Sequence, residues 1–173
     1  HLENSRNLIF KNTFADIENI LKLGNANGTR FEFECYDVSH LNNLRHFLDR
    51  GLVQAPVFVQ TVFGILGGIG ADPEDLMHMR RTAARLFGDR FEWSILGTGR
   101  NQLPLATIGA AMGAHVRVGL EDSLWIGPGR LAASSAEQVL RIRAVLEALN
   151  IDIATPAEAR EILGLKGAAN VDF

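Results

Sequence analysis

Apolar positions along this chain recur at two spacings, one typical of strands and one typical of helices. Five short apolar or alternating runs predict strands, at residues 8–12, 30–37, 57–63, 91–96 and 115–122. Between and after these runs, apolar residues recur every three or four positions. That spacing predicts helices that begin near Phe14, Ser39, Asp72, Leu103, Ser135 and Thr155. Strands that alternate with helices in this way favour an α/β fold with a parallel sheet.

The number of strand-helix units indicates which kind of parallel sheet to expect. No linker or low-complexity stretch divides residues 1–173, so we expect a single unit. A complete (β/α)₈ TIM barrel usually needs about 250 residues. The pattern therefore predicts the C-terminal part of a TIM barrel, with about its last five strands, and we expect the N-terminal part of the barrel to be absent from this sequence.

Composition and charge argue against several classes of protein, namely disordered, nucleic-acid-binding and membrane-spanning ones. Apolar residues make up 47% of the chain, which is typical of a packed domain rather than a disordered one. The net charge of −3 gives no basic excess for a nucleic-acid backbone, and no apolar stretch is long enough to span a membrane. A single cysteine, Cys35, permits no internal disulfide, and we expect a cytoplasmic protein with Cys35 as a buried, inert thiol.

The candidate chemistry is concentrated near the last predicted strand, in the segment 117–122. Side chains two residues apart share a face, so Arg117 and Glu121 point the same way, while Asp122 enters the following turn. Buried charges are normally paired or bound to a metal. This segment therefore indicates either an acid/base carboxylate beside a metal-ligating one or a structural ion pair at a strand end.

Two glutamates alternate with phenylalanines in the segment 31–34. If Phe31 and Phe33 pack under helices, then Glu32 and Glu34 face the interior of a barrel. The alternative is an edge strand with a solvated acidic face. Glu34 lies nearer to the carboxyl end of the strand, where barrel active sites gather, and is the better candidate site residue.

Glycine-rich turns follow two other predicted strands. Gly67, Gly68 and Gly70 lie just before the helix that begins after Asp72, and Arg100 lies in the turn 97–102. Backbone amides at a helix start and an arginine can hold a phosphate, as in a coenzyme A or phosphate site. A mobile flap or ordinary turns explain the same residues equally well.

Four segments together resemble the β-keto acid cleavage enzyme family. They are the residues 28–37, 63–70, 97–102 and 116–125, and they occur in the family's order. The resemblance implies a (β/α)₈ barrel, and it implies a reaction in which a β-keto acid and acetyl-CoA give acetoacetate and a new acyl-CoA. It also implies a homotetramer.

The resemblance assigns roles to four residues of this sequence. It implies that Glu121 is a carboxylate ligand of Zn²⁺, that Asp122 is the catalytic general base, that Arg117 holds this aspartate, and that Glu34 completes the charge network. The family's other zinc ligands form a His-x-His motif on an early strand, which none of the five histidines here reproduces.

We therefore expect this chain alone to be inactive without the missing part of the barrel. Two alternatives stay open at this point. One is another metal- or phosphate-dependent TIM-barrel lyase or aldolase, and the other is a ligand-binding α/β module without enzymatic activity.

Overall fold

The computed structural model describes residue 7 and residues 9–171. Six α-helices lie in these residues: α1 (Phe14–Ala26), α2 (Val38–Asp49), α3 (Pro73–Phe87), α4 (Gln102–Ala111), α5 (Ser135–Ala148) and α6 (Pro156–Ile162). Six strands accompany them: β1 (Glu32–Cys35), β2 (Val57–Phe63), β3 (Phe91–Gly97), β4 (His115–Val116), β5 (Trp125–Gly127) and β6 (Arg130–Leu131). Short 3₁₀ turns span Gly99–Asn101 and Ala168–Asn170.

The first four strands form one parallel sheet in the order β1-β2-β3-β4. Each strand pairs with the next one along the chain, and a helix follows each of the first three. This is the connectivity of consecutive units in a TIM barrel. The predicted α/β fold, with parallel strands alternating with helices as in part of such a barrel, is confirmed.

The two faces of the sheet have different compositions. One face, with Val59 and Ile95 at its centre, packs against the helices and forms the main core. The core residues from the helices share full burial and large apolar side chains; they include Leu41, Phe47, Leu76, Met79 and Phe87. Because side chains alternate along a strand, the opposite face carries most polar residues of these strands, including Glu34, Gln60 and Ser94. This polar face corresponds to the interior of a barrel.

Two of the five predicted strands differ from the structure. In the segment 8–12, residue 8 lies outside the described residues, and residues 9–12 are not a strand. Ile9 and Phe10 are exposed there. In the described part of the chain β1 pairs with β2 alone, so the segment gains no ladder hydrogen bonds that would hold it extended. Among the described residues, the parallel sheet has four strands.

The last predicted strand, 115–122, is much shorter in the structure. Strand pairing stops at Val116, and the Arg117 amide donates one further bond to the Ile95 carbonyl. The Asp122 and Ser123 amides both donate to the Gly119 carbonyl and close a turn. A two-stranded antiparallel hairpin of β5 and β6, which the sequence pattern did not predict, follows this turn.

Capping residues in the sequence correctly predict where several helices begin. Asp72 precedes α3 and Thr155 caps α6, both as predicted. Helix α2 differs, because its cap is Asp37, whose carboxylate accepts a bond from the Ser39 amide at 3.1 Å. Among the described residues, no helix combines the length and the apolar character that a membrane crossing requires.

Labelling of Cys35 tests the packing of β1. Burial, with the nearby Glu34 charge, raises the pKa of the Cys35 thiol to about 12, and the thiol is buried under the helices. We expect a maleimide reagent at pH 8 to react very slowly with the native protein and fully after denaturation, because the thiolate is the reactive form. The chain has one cysteine, so the signal is unambiguous. Rapid labelling of the native protein would contradict the packing of β1.

Substitution of Gly109 tests the contact between α4 and β3. A Cβ atom at Gly109 would lie 2.6 Å from Cγ2 of the fully buried Ile95. We expect Gly109→Ala to lower the free energy of unfolding by about 1–3 kcal/mol through overpacking, although alanine favours helix. Denaturant unfolding measures this change, with Ala111→Ser on the exposed side of α4 as the control. A stabilised Gly109→Ala protein would show that α4 lies farther from the sheet.

Candidate active site

The polar face of the sheet brings the predicted site residues Glu34, Glu121 and Asp122 together around Arg117. Glu34 lies on β1, and Arg117 follows β4, so the two are 83 residues apart in sequence. Asp122 lies in the turn that begins at Gly119. All of them lie at the carboxyl ends of parallel strands, where active sites form in barrels of this type.

The guanidinium group of Arg117 makes five hydrogen bonds, and its partners come from three parts of the sheet. Its bonds are Nε to Asp122 Oδ2 at 3.0 Å, Nη2 to Asp122 Oδ1 at 3.2 Å, Nη2 to Glu121 Oε2 at 2.6 Å, Nη1 to Glu34 Oε1 at 3.1 Å and Nη1 to Gln60 Oε1 at 3.3 Å. A guanidinium has five N–H donors, so each one has an acceptor. The bonds to Asp122 are bidentate, which fixes the plane of that carboxylate.

Asp122 is the most buried carboxylate of this network, with a side chain 7% exposed. Burial raises the pKa of Asp122, and the neighbouring Glu121 and Glu34 charges add to this effect; together they outweigh the opposing effect of Arg117. The backbone carbonyl of Asp122 accepts a bond from the Gly99 amide at 2.7 Å, which holds the turn against β3. The result is a carboxylate of raised pKa, held in one orientation at the carboxyl end of the parallel strands.

Tyr36 supports Glu34 from the other side. Its hydroxyl donates to Glu34 Oε2 at 2.7 Å, while Glu34 Oε1 accepts from Arg117. Burial, followed by the hydrogen bond to Glu34, raises the pKa of Tyr36 to about 12, so Tyr36 remains a hydrogen-bond donor at neutral pH. Phe31 and Phe33 pack against the core, and Glu34 faces inward, which agrees with the inward orientation proposed from the alternating sequence.

Glu121 differs from Asp122 in being open to solvent, with a side chain 70% exposed. Its Oε2 atom accepts a bond from Arg117 Nη2 at 2.6 Å. Protein zinc sites normally use three or four ligands. The described residues contain no group of three or more histidine, cysteine, aspartate or glutamate side chains that could hold a metal ion. The residues described here therefore do not by themselves form a zinc site.

The glycine-rich segment 64–71 packs over the end of β1. The Ile69 amide donates to the Tyr36 carbonyl at 2.7 Å, and a Cβ atom at Gly68 would lie 2.8 Å from that same carbonyl oxygen. At Gly70, a Cβ atom would collide with the Asp75 carboxylate. Close packing against backbone thus accounts for Gly68, whereas the obstacle at Gly70 is the end of a side chain, and Gly67 is in open space with a positive φ of 91°. A role for these glycines in binding a coenzyme stays a prediction.

Arg100 lies in the 3₁₀ turn that follows β3, and its side chain is exposed. The first residue of that turn, Gly99, is the one that bonds to the Asp122 carbonyl. Arg100 is thus at the same end of the sheet as the Arg117 network. Its predicted role in phosphate binding stays a prediction as well.

Gln60 and Tyr36 also belong to this network, although the sequence-based prediction placed them at strand ends without giving either a role. Gln60 is two residues from Phe58 and Val62 on the inner face of β2, and Tyr36 is two residues beyond Glu34. The same two-residue alternation that selected Glu34 also applies to these positions. Recognising their contacts, however, requires the pairing register between β1 and β2.

A sequence profile of one enzyme family matches most of the chain. The profile describes the β-keto acid cleavage enzyme and matches residues 2–165. The chain is 73% identical over its full length to a 3,5-dioxohexanoate:acetyl-CoA acetone transferase of Paraburkholderia graminis, of which it covers 56%.

Two more distant relatives carry related names. Over 91% of the chain, identity is 35% to a 3-keto-5-aminohexanoate cleavage enzyme of Fusobacterium nucleatum and 31% to a 3-dehydrocarnitine:acetyl-CoA trimethylamine transferase of Rhizobium meliloti. The chain covers 56% and 51% of these proteins and so spans about half the length of the curated relatives that it matches. With a family profile across nearly its whole length, the chain belongs to the β-keto acid cleavage enzyme family.

Proposed function

We propose that the complete protein is an enzyme that joins a β-keto acid with acetyl-CoA and releases acetoacetate and a new acyl-CoA. Family membership supports this proposal, as do relatives whose names specify acetyl-CoA transfer or keto acid cleavage. The observation that carries it is the buried Asp122 carboxylate, held in a bidentate pair by Arg117 at the carboxyl end of the sheet.

Asp122 acts in this proposal as the general base. It removes a proton from the carbon between the ketone and the carboxylate of the β-keto acid. That carbon attacks the acetyl carbonyl of acetyl-CoA, and the coenzyme A thiolate leaves. The thiolate then attacks the original ketone carbon, and the bond between this carbon and the deprotonated carbon breaks. The acetoacetate carbanion that leaves takes the proton back from Asp122. Atoms and charge balance, and Asp122 returns to its starting state.

Arg117 keeps the base in place during both proton transfers. Its Nε and Nη2 atoms bond to separate oxygens of Asp122, while Nη1 is held by Glu34 and Gln60 on two other strands. Proton transfer is efficient only when the base is held within hydrogen-bonding reach of the reacting carbon. The sheet therefore supplies the rigid support, and Arg117 connects it to Asp122.

The zinc implied by the family resemblance forms a separate part of the proposal. A bound Zn²⁺ acts as a Lewis acid on a ketone oxygen. Within the described residues only Glu121 is assigned as its ligand, so the remaining ligands belong to a His-x-His motif that the 173 residues lack. We accordingly expect the 173-residue chain by itself to bind zinc weakly and to be inactive.

The remaining assignments concern coenzyme A, the oligomeric state and the cellular location. Arg100, with the loop of Gly67, Gly68 and Gly70, is proposed to contact coenzyme A, because both lie at the end of the sheet that carries Asp122. The complete protein is proposed to be a cytoplasmic homotetramer.

Substitution of the base tests the proposed reaction. In the complete enzyme, Asp122→Asn keeps the hydrogen-bonding shape but removes the basic oxygen, so we expect kcat to fall about 10²–10⁴-fold. Acyl-CoA formation from a panel of β-keto acids with acetyl-CoA measures this. Asp152→Asn, at an exposed position after α5, is the matched control with unchanged turnover. An Asp122→Asn enzyme with normal kcat would remove Asp122 from the mechanism.

Metal content tests the role of Glu121. We expect Glu121→Gln to lower the zinc bound per subunit of the complete enzyme at limiting zinc, because a neutral amide is a weaker ligand than a carboxylate. Elemental analysis after dialysis reads this out without any activity measurement. Glu161→Gln on α6 is the control, because Glu161 is also exposed but lies outside the Arg117 network. Equal zinc in the wild type and both variants would exclude Glu121 as a ligand.

A further inference from the structure

Gln60 is a buried amide in the centre of the network around Arg117. It lies on β2 between Glu34 on one neighbouring strand and Ser94 on the other. Its side chain is among the most buried polar groups of the described residues, with the residue 2% exposed. A buried amide costs free energy unless its polar atoms have partners, so its contacts define its role.

The hydrogen-bond pattern fixes the orientation of the Gln60 amide. Arg117 has donors only, so the atom that faces its Nη1, at 3.3 Å, must be the amide oxygen. The amide nitrogen then faces Ser94 Oγ at 3.4 Å, and Ser94 is itself buried. Gln60 thus connects Ser94 on β3 to the Nη1 edge of the Arg117 guanidinium.

The neutrality of Gln60 suits this position. Three carboxylates, from Glu34, Glu121 and Asp122, already surround a single guanidinium. The fifth N–H of Arg117 needs an acceptor, but a fourth carboxylate in this buried place would add an uncompensated charge. An amide oxygen satisfies the donor without that cost.

We propose that Gln60 is a positioning residue, which holds the Nη1 edge of Arg117 against Glu34 so that the opposite edge presents Asp122 in a single orientation. This inference rests on the proposed function, because its effect on turnover passes through Asp122. Gln60 bonds to Arg117 and Ser94 and makes no hydrogen bond to Asp122.

The test compares Gln60→Met with wild type in the complete enzyme. Methionine fills the same space without the acceptor, and a lost hydrogen bond to a charged group lowers kcat by about 10–100-fold. We expect KM to change little. In an Arg117→Lys background, where the fork of donors is absent, we expect Gln60→Met to reduce kcat by less than about threefold, since residues that act as a unit are not additive.

Thr61→Val provides the matched control on the opposite face of the same strand. Thr61 is also buried, and it accepts a bond from Trp93 Nε1 at 2.9 Å and donates to the Ser94 carbonyl, without touching Arg117. We expect this variant to lose stability but to keep kcat. Equal losses of kcat in Thr61→Val and Gln60→Met, or additive losses with Arg117→Lys, would overturn the positioning role.

Crystal structures of the wild type and Gln60→Met separate this inference from the proposed function. We expect the guanidinium in Gln60→Met to turn away from Glu34, and an unchanged guanidinium would overturn the inference. If the wild-type enzyme turns over no β-keto acid with acetyl-CoA, the proposed function fails, and the two structures still decide whether Gln60 positions Arg117.

Discussion

The guanidinium of Arg117 sets the constraint on which the site depends. An arginine that points into the polar interior of a parallel sheet brings five donors and a permanent charge, and each donor left without an acceptor is costly. The acceptors come from β1, from β2 and from the turn after β4. Those three parts of the chain can meet only if the strands pair in the observed parallel register, so the charge network and the sheet topology require each other.

The two faces of the sheet have different roles: one stabilises the fold, and the other carries the candidate site. The outer face is apolar and buried under the helices, and it supplies the stability of the unit. The inner face gathers three carboxylates around one cation, which leaves an excess of negative charge near Asp122. Such a cluster is held in place by the surrounding core instead of contributing much stability of its own, as is common for functional sites.

The sequence-based predictions agree with the structure where a feature depends on residues close together in the chain, and they differ where it depends on distant ones. Strand alternation and charges in an apolar context are local signals; they selected Glu34, Arg117 and Asp122, which the structure joins in one hydrogen-bond network. Gln60 and Tyr36 received no role from the sequence because the network that they join is assembled from partners on neighbouring strands. The predicted strand at 8–12 was wrong for the described residues 9–12, since apolar residues alone cannot form a strand without a neighbour to pair with.

The sequence by itself determined the alternation of strands and helices, most helix starts and the charged segment after β4, because each depends on spacing within about ten residues. Tertiary structure decided which carboxylates share Arg117, and it decided that Asp122 is buried while Glu121 is exposed. It also ended β4 at Val116, where the turn at Gly119 competes with further pairing. These outcomes depend on the register of strands far apart in the chain, which no local pattern encodes.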